Sequence, residues 1–328
     1  MLFFSGVLRI YRHFKLRNKL VVLMYHRVLT NTEITQSLSN AGIIVDRDTF
    51  DAHIDYLKKH FTILSIDQLV DHVKHQLPFK KPTCLITFDD GWIDNYTNAL
   101  PILEKHKAPA LIFLPINYIG TGNLFWQERI ASYVYQIAQG SGTDRQFLVD
   151  YHAIPAINIT PDALKNSIFQ YIASLKKRSN SEIDDLLSMY KKHAKGMATQ
   201  PTNTIDRYID WTQVQSMSNR GISFGSHAVS HRLLTKMSEA AASQELTESK
   251  KVIESRLGKT IESIAYPNGD FNDAVINVAK NSGYMVGFST IRGYFSPADK
   301  PYRIKRINMH QQATSTIPLF VCRILGIF

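Results

Sequence analysis

The chain has almost no cysteine: Cys84 and Cys322 stand far apart in 328 residues. A disulfide framework is thereby excluded. Long apolar runs are missing as well, and none approaches the ~20 residues of a membrane-spanning helix. Low-complexity tracts and internal repeats are absent. With 44% hydrophobic and 20% charged residues, the composition is that of a folded soluble protein rather than a disordered or collagen-like one. At ~100–200 residues per domain, the length admits two domains, or one large α/β domain with an insertion.

Acidic residues are in the minority, 28 against 38 lysines and arginines, for a formal charge of +10 and a pI near 9.4. Such an excess favours an anionic neighbour: a membrane surface, nucleic acid or an acidic polymer. Neither a groove-reading helix nor basic–aromatic interleaving is evident and the cations are dispersed, so nucleic acid is not expected. The apolar start Met1–Ile10 is joined by Arg9 and followed by Arg12, Lys15, Arg17 and Lys19, the reverse of a secretory signal. The expectation is a cytoplasmic protein, peripheral at the inner face of a membrane. The last stretch, Ile317–Phe328, is apolar and interrupted by Arg323. For each end two readings stand, an interfacial segment on a bilayer or a helix packed on the domain.

Between the ends, short β-branched runs alternate with amphipathic stretches of helical length. Strands are expected at Val21–Tyr25, Phe61–Leu64, Cys84–Phe88, Ala110–Leu114, Ile222–Gly225, Ser263–Tyr266, Met285–Ser289 and Lys305–Met309. Helices are expected at Asp48–His60, Ile66–His75, Asn95–His106, Ser238–Leu257 and Asn272–Ser282, with Ser238 as a cap and Gly258 as a stop. This alternation predicts right-handed βαβ units and a parallel sheet or barrel. From about Glu128 to Asp210 the rhythm breaks into a polar, helix-prone stretch punctuated by Gly140, Gly142, Pro155, Pro161 and Pro201. It carries the cations Lys176, Lys177, Arg178, Lys191 and Lys192. The segment reads as an insertion on the α/β core rather than an independent domain.

The chemistry gathers at strand ends. Val21–Tyr25 runs into His26, and Cys84–Phe88 into Asp89-Asp90-Gly91. Ile222–Gly225 runs into Ser226-His227, with His231 four residues on, and Ser263–Tyr266 into Pro267-Asn268-Gly269. In parallel α/β folds the carboxyl ends of strands converge on one face, where active sites lie. Adjacent aspartates repel and need a compensating cation or proton. Alone, Asp-Asp-Gly reads as a helix cap or an exposed turn. Beside two imidazoles at a spacing that lets both face one point, it reads as a site for a borderline ion such as Zn²⁺. One carboxylate and two imidazoles would then leave open positions for water, and the second aspartate would be free to take a proton.

Thr87-Phe88-Asp89-Asp90-Gly91 together with Ser226-His227-Ala228-Val229-Ser230-His231 closely resembles the polysaccharide deacetylases of carbohydrate esterase family 4, the NodB-homology domain. The resemblance spans roughly residues 20–126 and 211–310. It implies a distorted (β/α) barrel of about seven parallel strands and metal-dependent removal of acyl groups from sugars. By motif match, Asp89 is the expected general base, and Asp90, His227 and His231 the expected ligands of a divalent metal, Zn²⁺ by preference. The family's Arg-x-Pro-Tyr-Gly motif falls on Ala265-Tyr266-Pro267-Asn268-Gly269. The backbone N–H of Asn268 is therefore the expected oxyanion donor, with Tyr266 beside it among the substrate-binding positions. The arginine that the motif lacks would come from Arg306 or Arg303. A second departure is Ala228 where serine or threonine is usual. Leu23-Met24-Tyr25-His26-Arg27-Val28 resembles the permuted poly-N-acetylglucosamine deacetylases, which makes His26 the expected general acid and His310 the runner-up.

The chain is therefore read as a segment 1–19, a catalytic domain 20–310 with its insertion at about 128–210, and a tail 311–328. The expected activity is removal of N-acetyl groups from an amino-sugar polysaccharide or a lipid-linked glycan. A catalytically silent carbohydrate-binding protein on the same fold is the alternative. Trp126 and Trp211, with Phe125 and Tyr118, flank the insertion and would either line a sugar groove or pack into the core. His13, His53, His60, His72, His75, His106, His152 and His193 are expected on solvated surfaces.

Overall fold

A six-residue strand buried along its whole length needs both of its faces covered, as in parallel sheets walled by helices. That is the arrangement of β1 (Leu20–Tyr25) and β2 (Thr83–Phe88), whose residues are all buried. The computed structural model describes residues 11–12, 14–155, 160–194 and 205–327; Met1–Ile10, His13 and Pro201 lie outside these. The remaining strands are β3 (Ala110–Leu114), β4 (Ile222–Ser226), β5 (Ser263–Ala265), β6 (Val286–Phe288) and β7 (Ile307–Asn308). They pair in the order β7-β1-β2-β3-β4-β5-β6, all parallel, with the short strand Thr62–Ile63 also on β2. Ile304 bonds to Gly287 and Ser289 at one edge of the sheet, and three residues later β7 pairs with β1 at the other. One short segment thus closes the curl into a distorted barrel.

Each sequence-expected strand is present within one or two residues of its predicted ends. The helices also appear: α1 (Arg47–His60), α2 (Ile66–Lys74), α3 (Leu100–Lys105), α4 (Trp211–Asn219), α5 (Glu239–Leu257) and α6 (Asp273–Asn281). α3 is preceded by a π-helical turn at Asn95–Ala99. Ser238 caps α5 through the Ala241 N–H, and Gly258 ends it in the left-handed conformation. A two-stranded parallel ribbon, Arg27–Leu29 with Ile44–Asp46, was not anticipated, since three-residue strands carry too little periodicity to read.

Residues 36–40 and 122–207 form a second compact unit, slightly wider than the stretch the sequence marks off. Helices Trp126–Ala138, Gly142–Asp150, Pro161–Leu175 and Asn180–His193 surround their own apolar core, which includes Ile130, Val134, Ile168, Leu187 and Tyr190. Trp126 packs partly against this core.

The C-terminal helix α7 (Ile317–Leu325) buries Phe320, Val321, Ile324 and Leu325. Here one expectation is corrected: His53 is fully buried, not solvated. Its ring stacks on Phe320 at 3.9 Å, its Nε2 lies 2.7 Å from the Thr314 carbonyl, and its Nδ1 meets the Tyr25 hydroxyl at 3.2 Å. The tail, distant in sequence, supplies the lid that the local pattern of α1 could not reveal. Burial lowers the His53 pKa to about 4, so the ring is neutral. Removing the Phe320 ring by Phe320→Ala should cost about 3–5 kcal/mol, read as a lower denaturation midpoint in urea; an unchanged midpoint would mean the tail does not brace α1.

Candidate active site

Strand register sets the site. Tyr25 is opposite Phe88, so the next residues, His26 and Asp89, leave adjacent strands at one level. Leu114 is opposite Ser226, and Ser226 opposite Ile264, which brings His227 and the Ala265–Gly269 turn to the same end. The chain turns sharply there. Asp90, Ala228, His231 and Asn268 all adopt positive φ, at 74°, 63°, 54° and 57°. Asp, Asn and His tolerate this region; for Ala228 it is strain of about 1–2 kcal/mol. Gly91 follows Asp90 at φ 67°, and a Cβ there would sit 2.9 Å from a Leu114 methyl.

The two aspartates have different partners. Asp89 accepts two hydrogen bonds from Arg306, Nη1 to Oδ1 at 2.7 Å and Nη2 to Oδ2 at 2.8 Å. Arg306 is itself fully buried, and its Nε donates to the Ser289 carbonyl. Of the two arginines weighed from sequence, the structure brings Arg306 to Asp89; Arg303 pairs with Asp273 at the surface. Burial pushes the Asp89 carboxyl up, but Arg306 and His227 outweigh it and hold it below the usual carboxylate range. His26 Nε2 is 3.9 Å from Asp89 Oδ2, and burial lowers its pKa against the pull of Asp90 and Asp89. Burial and then the Arg323 guanidinium lower the His310 pKa, and the groups paired with Asp89 are Arg306 and His26.

Asp90 faces the imidazoles. Its Oδ1 is 3.5 Å from His227 Nε2 and 3.4 Å from His231 Nε2, and ligand atoms of all three residues lie within 4.8 Å of one another. His227 Nδ1 lies 2.7 Å from the Ala265 carbonyl, which can only accept, so that nitrogen carries a hydrogen. The Nε2 facing the carboxylate then needs either a second proton or a cation between them. Burial lowers the His227 pKa, but its bond to Asp90 more than reverses this and raises it. Burial lowers the His231 pKa to about 3 against the pull of Asp90. Asp89 and Asp90 bring two negative charges and Arg306 one positive, leaving a net negative charge that a cation between Asp90 and the imidazoles would offset. One carboxylate and two imidazoles are also a donor set suited to Zn²⁺.

Several positioning groups escaped the sequence reading. Trp92 Nε1 donates to Asp90 Oδ2 at 3.1 Å, and the Arg27 guanidinium lies 4.3 Å above the Trp92 ring. Arg27 is in turn fixed by Asp94, Nε to Oδ2 at 2.9 Å, while Asp94 Oδ1 accepts from the Val28 N–H. Asn95 Nδ2 donates to the His26 carbonyl. On the other side, Glu245 of α5 accepts from the Val229 and Ser230 N–H groups and the Ser230 hydroxyl, holding the loop between the two histidines. Polar residues just after Asp-Asp-Gly were the available signal for the first group; nothing local marked Glu245.

The remaining candidates are placed as follows. Asn268 is exposed at the tip of its turn, and its carbonyl accepts from Thr290. Tyr266 is fully buried; its hydroxyl donates to the Tyr302 carbonyl and its ring stacks on Phe271. The Tyr266 side chain therefore packs beneath the turn. Trp211 lies under the Arg256 guanidinium, 5.4 Å from ring centre.

A sequence profile of the polysaccharide deacetylases matches residues 76–138 and 162–287. The poly-β-1,6-N-acetyl-D-glucosamine N-deacetylase of Staphylococcus aureus is 26% identical over 304 residues, covering 90% of this chain and 80% of the relative. Among solved structures, IcaB from Ammonifex degensii aligns with a TM-score of 0.60 at 16% identity, covering 94% of this chain and 97% of the other. The Streptococcus pyogenes deacetylase PplD, solved with acetate, aligns at 0.59 and 21%, covering 91% and 95%. The chain belongs to the polysaccharide deacetylase family, whose carbohydrate deacetylases are hydrolases of linear amide bonds.

The donor geometry yields a direct measurement. Zinc at ~100 times its Kd should stabilise the protein by about 2.7 kcal/mol. Asp90→Ala and His231→Ala should abolish that gain, Asp89→Asn should keep it, and Trp92→Phe should weaken zinc affinity ~10–100-fold. Equal zinc affinity in Asp90→Ala and the parent would dismiss this ligand set.

Proposed function

We propose that the protein removes N-acetyl groups from an N-acetylglucosamine-containing glycan, using a divalent ion, Zn²⁺ by preference, held by Asp90, His227 and His231. The observation that carries the reading is the paired carboxylate Asp89, fixed by Arg306 beside the ligand set and 3.9 Å from His26. Bound there, the ion supplies Lewis acidity to the acetyl carbonyl and brings the pKa of a water toward 7.

The chain's own groups do the rest. Asp89 stays ionised because Arg306 neutralises it, and so accepts the proton that attacking water gives up. The oxyanion formed at the acetyl carbon is met by the backbone N–H of Asn268, for which the missing family tyrosine is immaterial. His26 then delivers a proton to the departing nitrogen as the C–N bond breaks, releasing acetate and a free amino sugar. Burial lowers the His26 pKa, which makes its protonated form a stronger donor. The polymeric substrate named for the Staphylococcus aureus relative, poly-β-1,6-N-acetyl-D-glucosamine, is the substrate class first proposed, with a lipid-linked glycan of the same sugar as its shorter form. The silent carbohydrate-binding alternative would be marked by loss of a ligand or of the base, and none is lost.

Acetate release from β-1,6-linked N-acetylglucosamine oligomers tests the proposal. Asp89→Asn should lower kcat ~10²–10⁴-fold with zinc content intact, His26→Ala should do likewise, and His310→Ala should stay near the parent. Full turnover in Asp89→Asn would refute the assigned base. No acetate from any N-acetylated glycan by the zinc-loaded protein would refute the activity.

A further inference from the structure

Apart from the active site, the structure brings together apolar, one-signed segments at residues 11–19, 289–295 and 311–327. Residues 11–12 and 14–15 are helical, and Tyr11 and Phe14, three apart, share a face. Tyr11 is 41% and Phe14 69% exposed. Leu319 and Ile327, on and just after α7, are 37% and 48% exposed, and Ile291 is 49% exposed. These are high values for large apolar side chains in a protein whose barrel strands are almost entirely buried.

Contacts join the three segments into one region. The Lys19 ammonium lies 5.4 Å from the centre of the Tyr294 ring, and the Tyr294 hydroxyl donates to the Ile324 carbonyl at 2.8 Å. Leu20 and Phe295 exchange backbone hydrogen bonds at 2.7 and 3.1 Å, and Arg12 donates to Tyr56, whose ring meets Phe320 edge-on. The segments 11–19, 289–295 and 311–327 contain Arg12, Lys15, Arg17, Lys19, Arg292 and Arg323, and not one Asp or Glu. On the neighbouring helix α1, Asp51 is engaged by Lys105 and His106 and Asp55 by Lys59, while Asp48 is exposed in its first turn.

We propose that this surface docks on an anionic lipid bilayer. Exposed aromatic and aliphatic side chains would enter the headgroup–acyl boundary while the cations meet lipid phosphates. The charge favours a bilayer over a second copy of the chain, because two such faces would bring like charges together. Among the described residues no helix is long and apolar enough to cross a membrane, so the contact is one of lying on the surface. Docking is read without any glycan and stands apart from the deacetylation proposal.

Co-sedimentation of the full chain with vesicles decides it. Vesicles of equal parts phosphatidylglycerol and phosphatidylcholine should retain the protein, with retention falling as salt rises; pure phosphatidylcholine should retain little. Arg17→Glu with Arg292→Glu should weaken binding about tenfold or more. Phe14→Asp with Ile327→Asp should also release it, with unchanged circular dichroism and unchanged acetate release from soluble oligomers. Equal binding to both vesicle types, or vesicle binding indifferent to both double variants, would overturn the proposal. So would equal capture by dextran sulfate that Phe14→Asp with Ile327→Asp leaves untouched, or a dimer dissociated by that variant in place of vesicle binding.

Discussion

Two neighbouring carboxylates buried at the end of one strand set the terms for everything around them. Asp89 and Asp90 cannot both be ionised in a low-dielectric site unless each has its own source of positive charge. The fold answers the two needs separately. A guanidinium from the last strand segment grips Asp89 through both oxygens, and two imidazoles from a distant loop converge on Asp90. Asp89 is thereby tied to a fixed charge, whereas Asp90 faces groups whose charge depends on what lies between them. On that asymmetry rests the proposal of Asp89 as proton acceptor and Asp90 as ligand.

Holding the arrangement requires rigid surroundings. The left-handed residues at Asp90, Ala228, His231 and Asn268 would relax in a free chain. Glu245 closes the loop between the histidines, and the Asp94–Arg27–Trp92 series steadies Asp90 from the opposite side. Arg27 and Asp94 form a fully buried ion pair, which is more a device for orientation than a source of stability.

Much of this was legible in the sequence because parallel strands are monotonous. Leu20–Tyr25 and Thr83–Phe88 announce themselves as uninterrupted buried runs, and the polar residue that ends each run marks the catalytic end of the barrel. What stayed illegible depends on pairing across long separations. Whether Arg303 or Arg306 reaches Asp89 is decided by a three-residue difference in position just before the short strand Ile307–Asn308. His53 looked solvated because its cover, Phe320, lies far along the chain. Tyr266 looked like a site residue because it adjoins one, yet its ring is buried against Phe271 and its hydroxyl bonds to the Tyr302 carbonyl. The ribbon of Arg27–Leu29 with Ile44–Asp46 is too short to leave a periodic trace.

Barrel closure by Ile304–Asn308 has a consequence for biosynthesis. The counter-ion of Asp89 leaves the ribosome more than two hundred residues after Asp89 itself. Until Arg306 arrives, Asp89 lacks the guanidinium that grips it and the sheet keeps an open edge at β1. Closure of the barrel and the grip on Asp89 therefore form together, once residues 304–308 have emerged, and a chain terminated before residue 306 would hold neither.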